Sequence, residues 1–291
     1  MLDIQFTRKA LTEAIASQTN QVFSPLSAYL LAAMLYYASD EATQRDWKKP
    51  GDFSDTLITG SWNLPLRIHN SVWYQQHELT PSTQYENTLL QLFHTSPEAM
   101  NFADCEAAAD IINQRIAKAT DGLVINPISP SDLFNAIAVF LNALLLEAKW
   151  AKPFHEINTS EGTFYGSSEV TARFMYQEGT FGYIDNGRCQ SILLPLEEAG
   201  RSIQIVLPQE GVSLADVVQQ DGLHYEHTLE SVQLFLPRID VLGDVNCGAL
   251  LGVSSTSLAA FGVNGPRPVV IKQASRALWD EKGVKMAAAT Y

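Results

Sequence analysis

Asp280-Glu-Lys-Gly-Val-Lys-Met-Ala-Ala-Ala-Thr290 stands near the end of this 291-residue sequence, followed by Tyr291, and by itself it supports two structures. Alanine is the best helix former, so Ala287, Ala288 and Ala289 favour a helical turn. The same small side chains offer little steric resistance to entering a sheet, and Gly283 supplies a flexible pivot. As a strand, the segment sends Val284, Met286, Ala288 and Thr290 to one face and Gly283, Lys285, Ala287 and Ala289 to the other. The first set is uncharged and suited to burial. Lys285 lies in the set suited to solvent, which avoids the cost of burying an uncompensated charge. The segment alone leaves helix and strand both open.

Working back from it, Val232 to Leu236 and Ser202 to Leu207 read as strands, each closed by a proline. Asn186-Gly187 is a two-residue hairpin signal between Phe181-Gly-Tyr183 and Ile192-Leu-Leu194. Ala136 to Leu146 is a nearly continuous apolar run of strand length, fitting a central strand covered on both faces. It is about half of what a bilayer crossing needs, and Asn142 interrupts it. Leu66 to Tyr74 alternates as a strand, and Ser82 to Phe93 and Glu106 to Thr120 read as helices, the second capped by Asp121-Gly122. Ser27 to Ala38 is expected to be helical, with Leu26, Tyr29, Leu30, Ala33 and Met34 sharing a face and Pro25 at the turn into it. Ile4 to Ile15 has the apolar spacing of another helix. Asp46 to Pro65 is rich in breakers and reads as a compact connection. No repeat or linker divides the chain, so 1–291 is expected to be one α+β domain.

Nineteen Lys and Arg against 32 Asp and Glu give a net charge of -13. With no basic run to neutralise phosphates, nucleic acid, heparin-like polymers and anionic membranes are not expected partners. Cys105, Cys189 and Cys247 have neither the spacing of a disulfide framework nor that of a zinc site, and read as free thiols. The start of the chain lacks a secretory signal, so the expectation is a cytosolic protein or a secreted one whose signal is removed. No nucleophile elbow, phosphate loop, dinucleotide fingerprint or zinc-protease motif is present, and no enzyme, cofactor or metal site is expected. His224 and His227 read as surface histidines, Asn158-Thr-Ser160 matches a glycosylation sequon, and Glu197-Glu198 and Asp280-Glu281 read as solvated loop charge.

Separate stretches, in order, resemble the serpin family. Asn20-Gln-Val-Phe-Ser-Pro-Leu-Ser27 is similar to the family's segment beneath the centre of its main sheet. Phe140-Leu-Asn-Ala143 and Ala148-Lys-Trp-Ala-Lys-Pro-Phe154 resemble its signature at the end of the third strand of that sheet. Phe174-Met-Tyr-Gln-Glu-Gly-Thr-Phe-Gly-Tyr183 and Val232-Gln-Leu-Phe-Leu-Pro237 follow the family pattern, and the tail resembles the hinge of a reactive-centre loop.

The resemblance implies a serpin fold: a large central mixed β-sheet, further sheets and surrounding helices, with the reactive loop cleaved and inserted as an extra strand. It assigns the hinge to Glu281, Lys282, Gly283, Val284, Lys285, Met286, Ala287, Ala288, Ala289 and Thr290. It assigns the sheet-opening region to Ser24, Ser27, Asn142, Trp150 and Gln273. Counted back without a gap from Glu281, Gln273 falls where the family has a sheet-centre histidine; a two-residue shift would place Ser275 there.

The implied partner is a serine protease or a papain-like cysteine protease. Its acyl-enzyme would be trapped as the cleaved loop inserts, and no catalytic residue of this chain would take part. The alternative is a non-inhibitory serpin acting as carrier, chaperone or storage protein. Met286, standing where inhibitory members have a small residue, is expected to slow insertion, since extra volume in a packed site costs about 1–3 kcal/mol. Glu41 to Leu66 is shorter than in the family, removing the usual glycosaminoglycan-binding helix. Tyr291 precedes the place of the scissile bond, so the expectation is a longer natural product whose small cleavage fragment stays bound as a separate peptide.

Overall fold

The computed structural model describes residues 12, 20–46, 55–61, 66–166, 168–221 and 225–291. Along these the helices are α1 (Pro25–Ala38), α2 (Glu41–Asp46), α3 (Asp55–Ser61), α4 (Thr83–Phe93), α5 (Cys105–Ala119), α6 (Leu214–Asp221) and α7 (Cys247–Leu251). The strands begin with β1 (Arg67–Gln75), β2 (Pro97–Met100) and β3 (Ala138–Lys149). A strand-rich middle follows: β4 (Ser160–Tyr165), β5 (Glu169–Asp185), β6 (Cys189–Pro195), β7 (Ser202–Pro208) and β8 (Thr228–Pro237). The chain then runs through β9 (Ile239–Asn246), the hairpin β10 (Ser255–Leu258) and β11 (Val263–Pro268), and finally β12 (Lys272–Trp279) and β13 (Gly283–Thr290). The helix expected over 4–15 lies largely outside the described residues. The 46–65 connection contains α3, with the rest of it mostly outside them.

The central sheet has the order β2-β1-β3-β13-β12-β9. Only β1 and β2 pair in parallel; the other neighbours are antiparallel, so the sheet is mixed. A second sheet runs β4-β5-β6-β7, with β8 also paired to β5.

Ser24 caps α1 by accepting a hydrogen bond from Ser27 N at 3.2 Å, and Pro25 occupies the first turn, where its missing N–H costs nothing. Every residue from Leu26 to Leu35 is buried, so α1 is apolar all round and lies in the core rather than presenting one face. Phe140 and Leu144 of β3 pack towards it, while Leu141 and Leu145 pack on the opposite side with Ile112 and Ile116 of α5. β3 is therefore covered on both faces, as its apolar run predicts. Each such fully buried Leu, Ile or Phe contributes about 1.5–3 kcal/mol.

Asp104 caps the start of α5 through Ala107 N at 3.1 Å. Beyond its end, Asp121 and Gly122 adopt positive φ of 53° and 73°, the left-handed geometry expected of the cap. The β5–β6 turn is shifted by one residue from the sequence reading. Asn186 N bonds Cys189 O at 3.3 Å, so Gly187 and Arg188 are the central pair, with Gly187 at φ 77°. Asn186 instead uses its side chain to accept from Cys189 N at 2.9 Å.

Candidate functional site

Of the two structures open to the tail, the fold selects the strand: Gly283–Thr290 lies between β3 and β12, antiparallel to both. Tertiary pairing overrides the helical preference of its alanines, because both neighbouring strands present unpaired backbone groups along the whole segment. Thr290 sits opposite Asn142 on one side and Gln273 on the other, and Gly283 opposite Lys149.

The lower end of this strand is held by a buried polar network. The Thr290 hydroxyl lies 2.7 Å from Ser27 Oγ and accepts from Gln273 Nε2 at 2.7 Å. Gln273 also reads the Ser24 residue from both sides, accepting from its N–H at 2.6 Å and donating to its carbonyl at 3.0 Å. An amide side chain is suited to this because it carries both a donor and an acceptor. Ser27 Oγ donates to Asn142 O at 3.2 Å, and Asn142 Nδ2 donates to Asn70 Oδ1 at 2.8 Å, which ties β3 to β1. Asn70 in turn donates to Phe93 O at the end of α4, at 2.8 Å. Ser24, Ser27, Asn142 and Gln273 are thus brought together. Gln273, rather than Ser275, faces the Thr290 hydroxyl; Ser275 Oγ instead donates to Val22 O at 2.7 Å. Asn70 escaped the sequence reading, although a polar residue on the buried side of an alternating strand was a detectable signal.

Trp150 does not belong to this cluster. It lies at the opposite end of β13, where its N–H donates to Lys282 O at 3.1 Å and its Nε1 to Asp280 O at 2.8 Å. Glu281 is only 3% exposed, correcting its reading as solvated charge. Its Oε1 accepts from Arg238 Nε at 2.9 Å and from Thr159 Oγ1 at 2.5 Å. Burial pushes this carboxyl up, but the hydrogen bonds from Arg238 and Thr159 outweigh that and hold it below its ordinary range.

The two faces of β13 also differ from expectation. Ala287 and Ala289 are buried with Trp73, Ile112 and Ile116, because α5 covers the face predicted for solvent. Lys285, on the same face, escapes complete burial by pairing with Asp121 just beyond the end of α5. That pairing is the main reason the Asp121 carboxyl lies below its ordinary range. Met286, in the set predicted to be buried, is only partly so and packs at the margin of a cluster containing Trp150, Met175 and Val284.

Thr290→Val should destabilise the inserted form by about 1–3 kcal/mol, since Gln273 would keep a buried N–H with no acceptor. Urea unfolding of the inserted form checks this, and an unchanged midpoint would remove the network's energetic role.

Elsewhere, Cys189 and Cys247 are buried free thiols, and Cys105 is partly exposed. Burial, with Asp244 nearby, pushes the Cys247 thiol up to about 12, so it is chemically quiet at neutral pH. His227 is half-buried with its Nε2 2.9 Å from Ser191 Oγ, while His224 lies outside the described residues. Among the described residues no group of three or more His, Cys, Asp or Glu could hold a metal ion. Asn158 of the sequon is exposed, and Glu197 and Glu198 are exposed and paired with Lys149 and Arg201.

The family model for serpins (serine protease inhibitors) matches residues 3–253, and the chain belongs to the serpin family. An alpha-1-antitrypsin-like protein of Tamias sibiricus is 25% identical over 309 residues, covering 94% of this chain and 74% of the relative. Human neuroserpin is 25% identical, covering 80% of this chain and 64% of its own, and rat thyroxine-binding globulin 26% identical, covering 80% and 61%. Among solved structures, a cleaved Serpin 42Da superimposes with a TM-score of 0.85 at 20% identity, covering 98% of this chain and 86% of that one. The reactive-loop-cleaved human thyroxine-binding globulin gives 0.84 at 21%, covering 99% and 95%. The α+β fold is therefore the serpin fold, and the family spans protease inhibitors and a hormone carrier.

Proposed function

We propose that this protein inhibits a serine protease, or a papain-like cysteine protease, as a suicide substrate. The observation that carries the proposal is the complete pairing of Gly283–Thr290 between β3 and β12. In the proposed cycle the protease attacks a loop following these residues and forms an acyl-enzyme. The hinge from Glu281 to Thr290 then enters the sheet and carries the acylated protease with it. The protease supplies the catalytic groups; this chain supplies the driving force. Each new backbone hydrogen bond contributes about 1 kcal/mol, supplemented by burial of Val284 and Ala287 to Ala289. The uninserted form is thereby a kinetic trap. Ser24, Ser27, Asn142 and Gln273 act where the sheet parts and recloses, with Thr290 as the incoming partner of their network. Trp150 acts at the far end, where it grips Asp280 and Lys282.

A cavity of about 680 Å³ supports the reading that the inserted strand continues past Tyr291. It is lined by Ile137, Ala138, Val139 and Phe140 on one side and by Val270 and Ile271 on the other. It thus prolongs the slot that β13 fills, and the small cleavage fragment would remain bound to the body as a separate peptide. A carrier function is the second reading, favoured by the similarity to rat thyroxine-binding globulin.

The test is a denaturing gel of the full-length protein mixed with trypsin-like, chymotrypsin-like, elastase-like, subtilisin-like and papain-like proteases. The expected result is a band at the summed mass that resists denaturant with at least one of them. Cleavage near the tail with full protease activity retained across the panel would overturn inhibition in favour of the carrier.

A further inference from the structure

A chain with a net charge of -13 would be expected to line its clefts with carboxylates. The cleft between β1 and α5, about 680 Å³ in volume, does the opposite. Its lining residues are Arg67, Ile68, His69, Ile111, Gln114, Arg115, Lys118 and Ala119, with no Asp or Glu among them.

The pattern follows from two periodicities. Arg67, His69, Ser71 and Trp73 alternate onto the face of β1 that meets α5. Ile111, Gln114, Arg115 and Lys118 recur at the helical spacing that puts them on one stripe of α5. The basic groups therefore approach from both walls. His69 Nε2 lies 3.1 Å from Ser71 Oγ, and Arg115 Nη1 donates to the same oxygen at 3.4 Å. Arg115 is further fixed by the face of Trp73, 5.5 Å from the ring centroid, and by paired hydrogen bonds to Glu98 at 3.0 and 3.2 Å.

The surrounding acids leave part of this charge uncompensated. Glu98 engages Arg115, while Glu147 and Asp121 lie 3.7 and 4.0 Å from Arg67, and Asp121 is also taken by Lys285. Among the described residues, Lys118 has no ion pair, while burial and the neighbouring Arg115 hold the His69 ring below its ordinary range, so that it serves as a neutral hydrogen-bonding group.

We infer that this cleft binds a phosphate monoester, with its oxygens held by Lys118, His69 and Arg115 and its organic part against Ile111. A guanidinium whose fork is shared with Glu98, a point-like ammonium and a ring N–H converging from two walls suit a tetrahedral oxyanion better than a planar carboxylate. The inference does not rest on protease inhibition, and its test does not use a protease.

The test is calorimetric titration of the full-length protein with phenyl phosphate and with inorganic phosphate, at constant ionic strength. The expected result is saturable one-to-one binding, tighter for the phenyl ester because of Ile111. Lys118→Ala and His69→Ala should each weaken binding about tenfold, as expected for losing a hydrogen bond to a charged group. Glu98→Gln should tighten it by releasing Arg115, and Lys149→Ala, on a remote surface lysine, should leave it unchanged. Sulfate should compete, while isophthalate, a planar dicarboxylate of the same charge, should compete poorly. Absence of saturation by about 10 mM, weaker than the millimolar class, overturns the site. So does binding that Lys118→Ala and His69→Ala leave intact. Circular dichroism of each variant, expected to match the parent, assigns any loss of binding to the cleft rather than to the fold.

Discussion

Gly283→Ala should leave the protein folded but remove about 3 kcal/mol of the stability gained in the proposed cleavage and insertion of the loop. A Cβ at this position would stand 2.1 Å from Ala148 O, 2.8 Å from Lys149 Cα and 3.0 Å from Ala148 C. These are backbone atoms of β3, and they are held in turn. Lys149 O accepts from Glu197 N at 2.8 Å, and the next residue, Trp150, donates its N–H to Lys282 O. No side chain can swing aside to make room, so the start of β13 must leave its register. The cost is about 3 kcal/mol, the upper part of the range for overpacking. Gly283 therefore serves less as the flexible pivot the sequence suggests than as the only residue that fits against β3.

Melting of the cleaved variant should fall well below that of the cleaved parent. The protease should also escape more often, seen on the gel as more cleaved product and less high-mass complex. Gly60→Ala, whose Cβ would meet nothing within 4 Å, is the neutral control. Equal melting and equal complex yield for Gly283→Ala and the parent would refute this account of the hinge.

The second large effect is expected at Glu281 and Arg238. The Glu281 side chain is 4% exposed, against 32% for Arg238, so removing the guanidinium leaves a nearly buried carboxylate whose remaining side-chain partner is Thr159. Breaking such a pair costs about 3–5 kcal/mol when both partners are buried. With Arg238 partly open to solvent, the lower end, about 3 kcal/mol, is the expected loss for Arg238→Ala, a fall of roughly 6–12 °C in melting temperature. Glu281→Gln should cost less, because the amide oxygen still accepts from Thr159 and no charge is left behind. An Arg238→Ala loss below about 1 kcal/mol would place this pair among ordinary surface ion pairs.

The same pair sets a pH dependence. The Glu281 carboxyl lies below its ordinary 4.5 in the folded chain. Its contribution is therefore fully present above that value and is lost as the pH falls through the lower folded value. Asp132 acts with the same sign. Burial pushes it up, but hydrogen bonds from Lys272 and Ser129 hold it at about 2. Acid unfolding of the inserted form should begin below about pH 4.5, where unfolded carboxylates take up protons. Glu281→Gln should flatten that slope, and an identical slope in parent and variant would show that Glu281 contributes nothing to it.

Much of the architecture was legible locally. Apolar runs marked α1 and β3, Ser82 and the Asp121-Gly122 pair marked helix ends, and the prolines closing β7 and β8 marked strand ends. These signals depend on neighbours within a few residues, where capping, proline geometry and burial periodicity act directly. That Ser24, Ser27, Asn142 and Gln273 gather at one place in the sheet was legible through their resemblance to a family. Asn70 and the buried pairing of Glu281 with Arg238 were not, because each depends on a partner met only through folding: Asn142 across the sheet, and Arg238 beyond a strand.

The sequence by itself determined an acidic α+β chain with a small-residue segment able to enter a sheet, since composition and alternation belong to the chain. Only the tertiary structure decided that Ala287 to Ala289 are strand rather than helix. Unpaired edges of β3 and β12 must be satisfied, and α5 must cover the face that alternation alone assigned to water. It likewise decided that Lys285 would find Asp121, and that Gly283 stands where a single added methyl group meets the backbone.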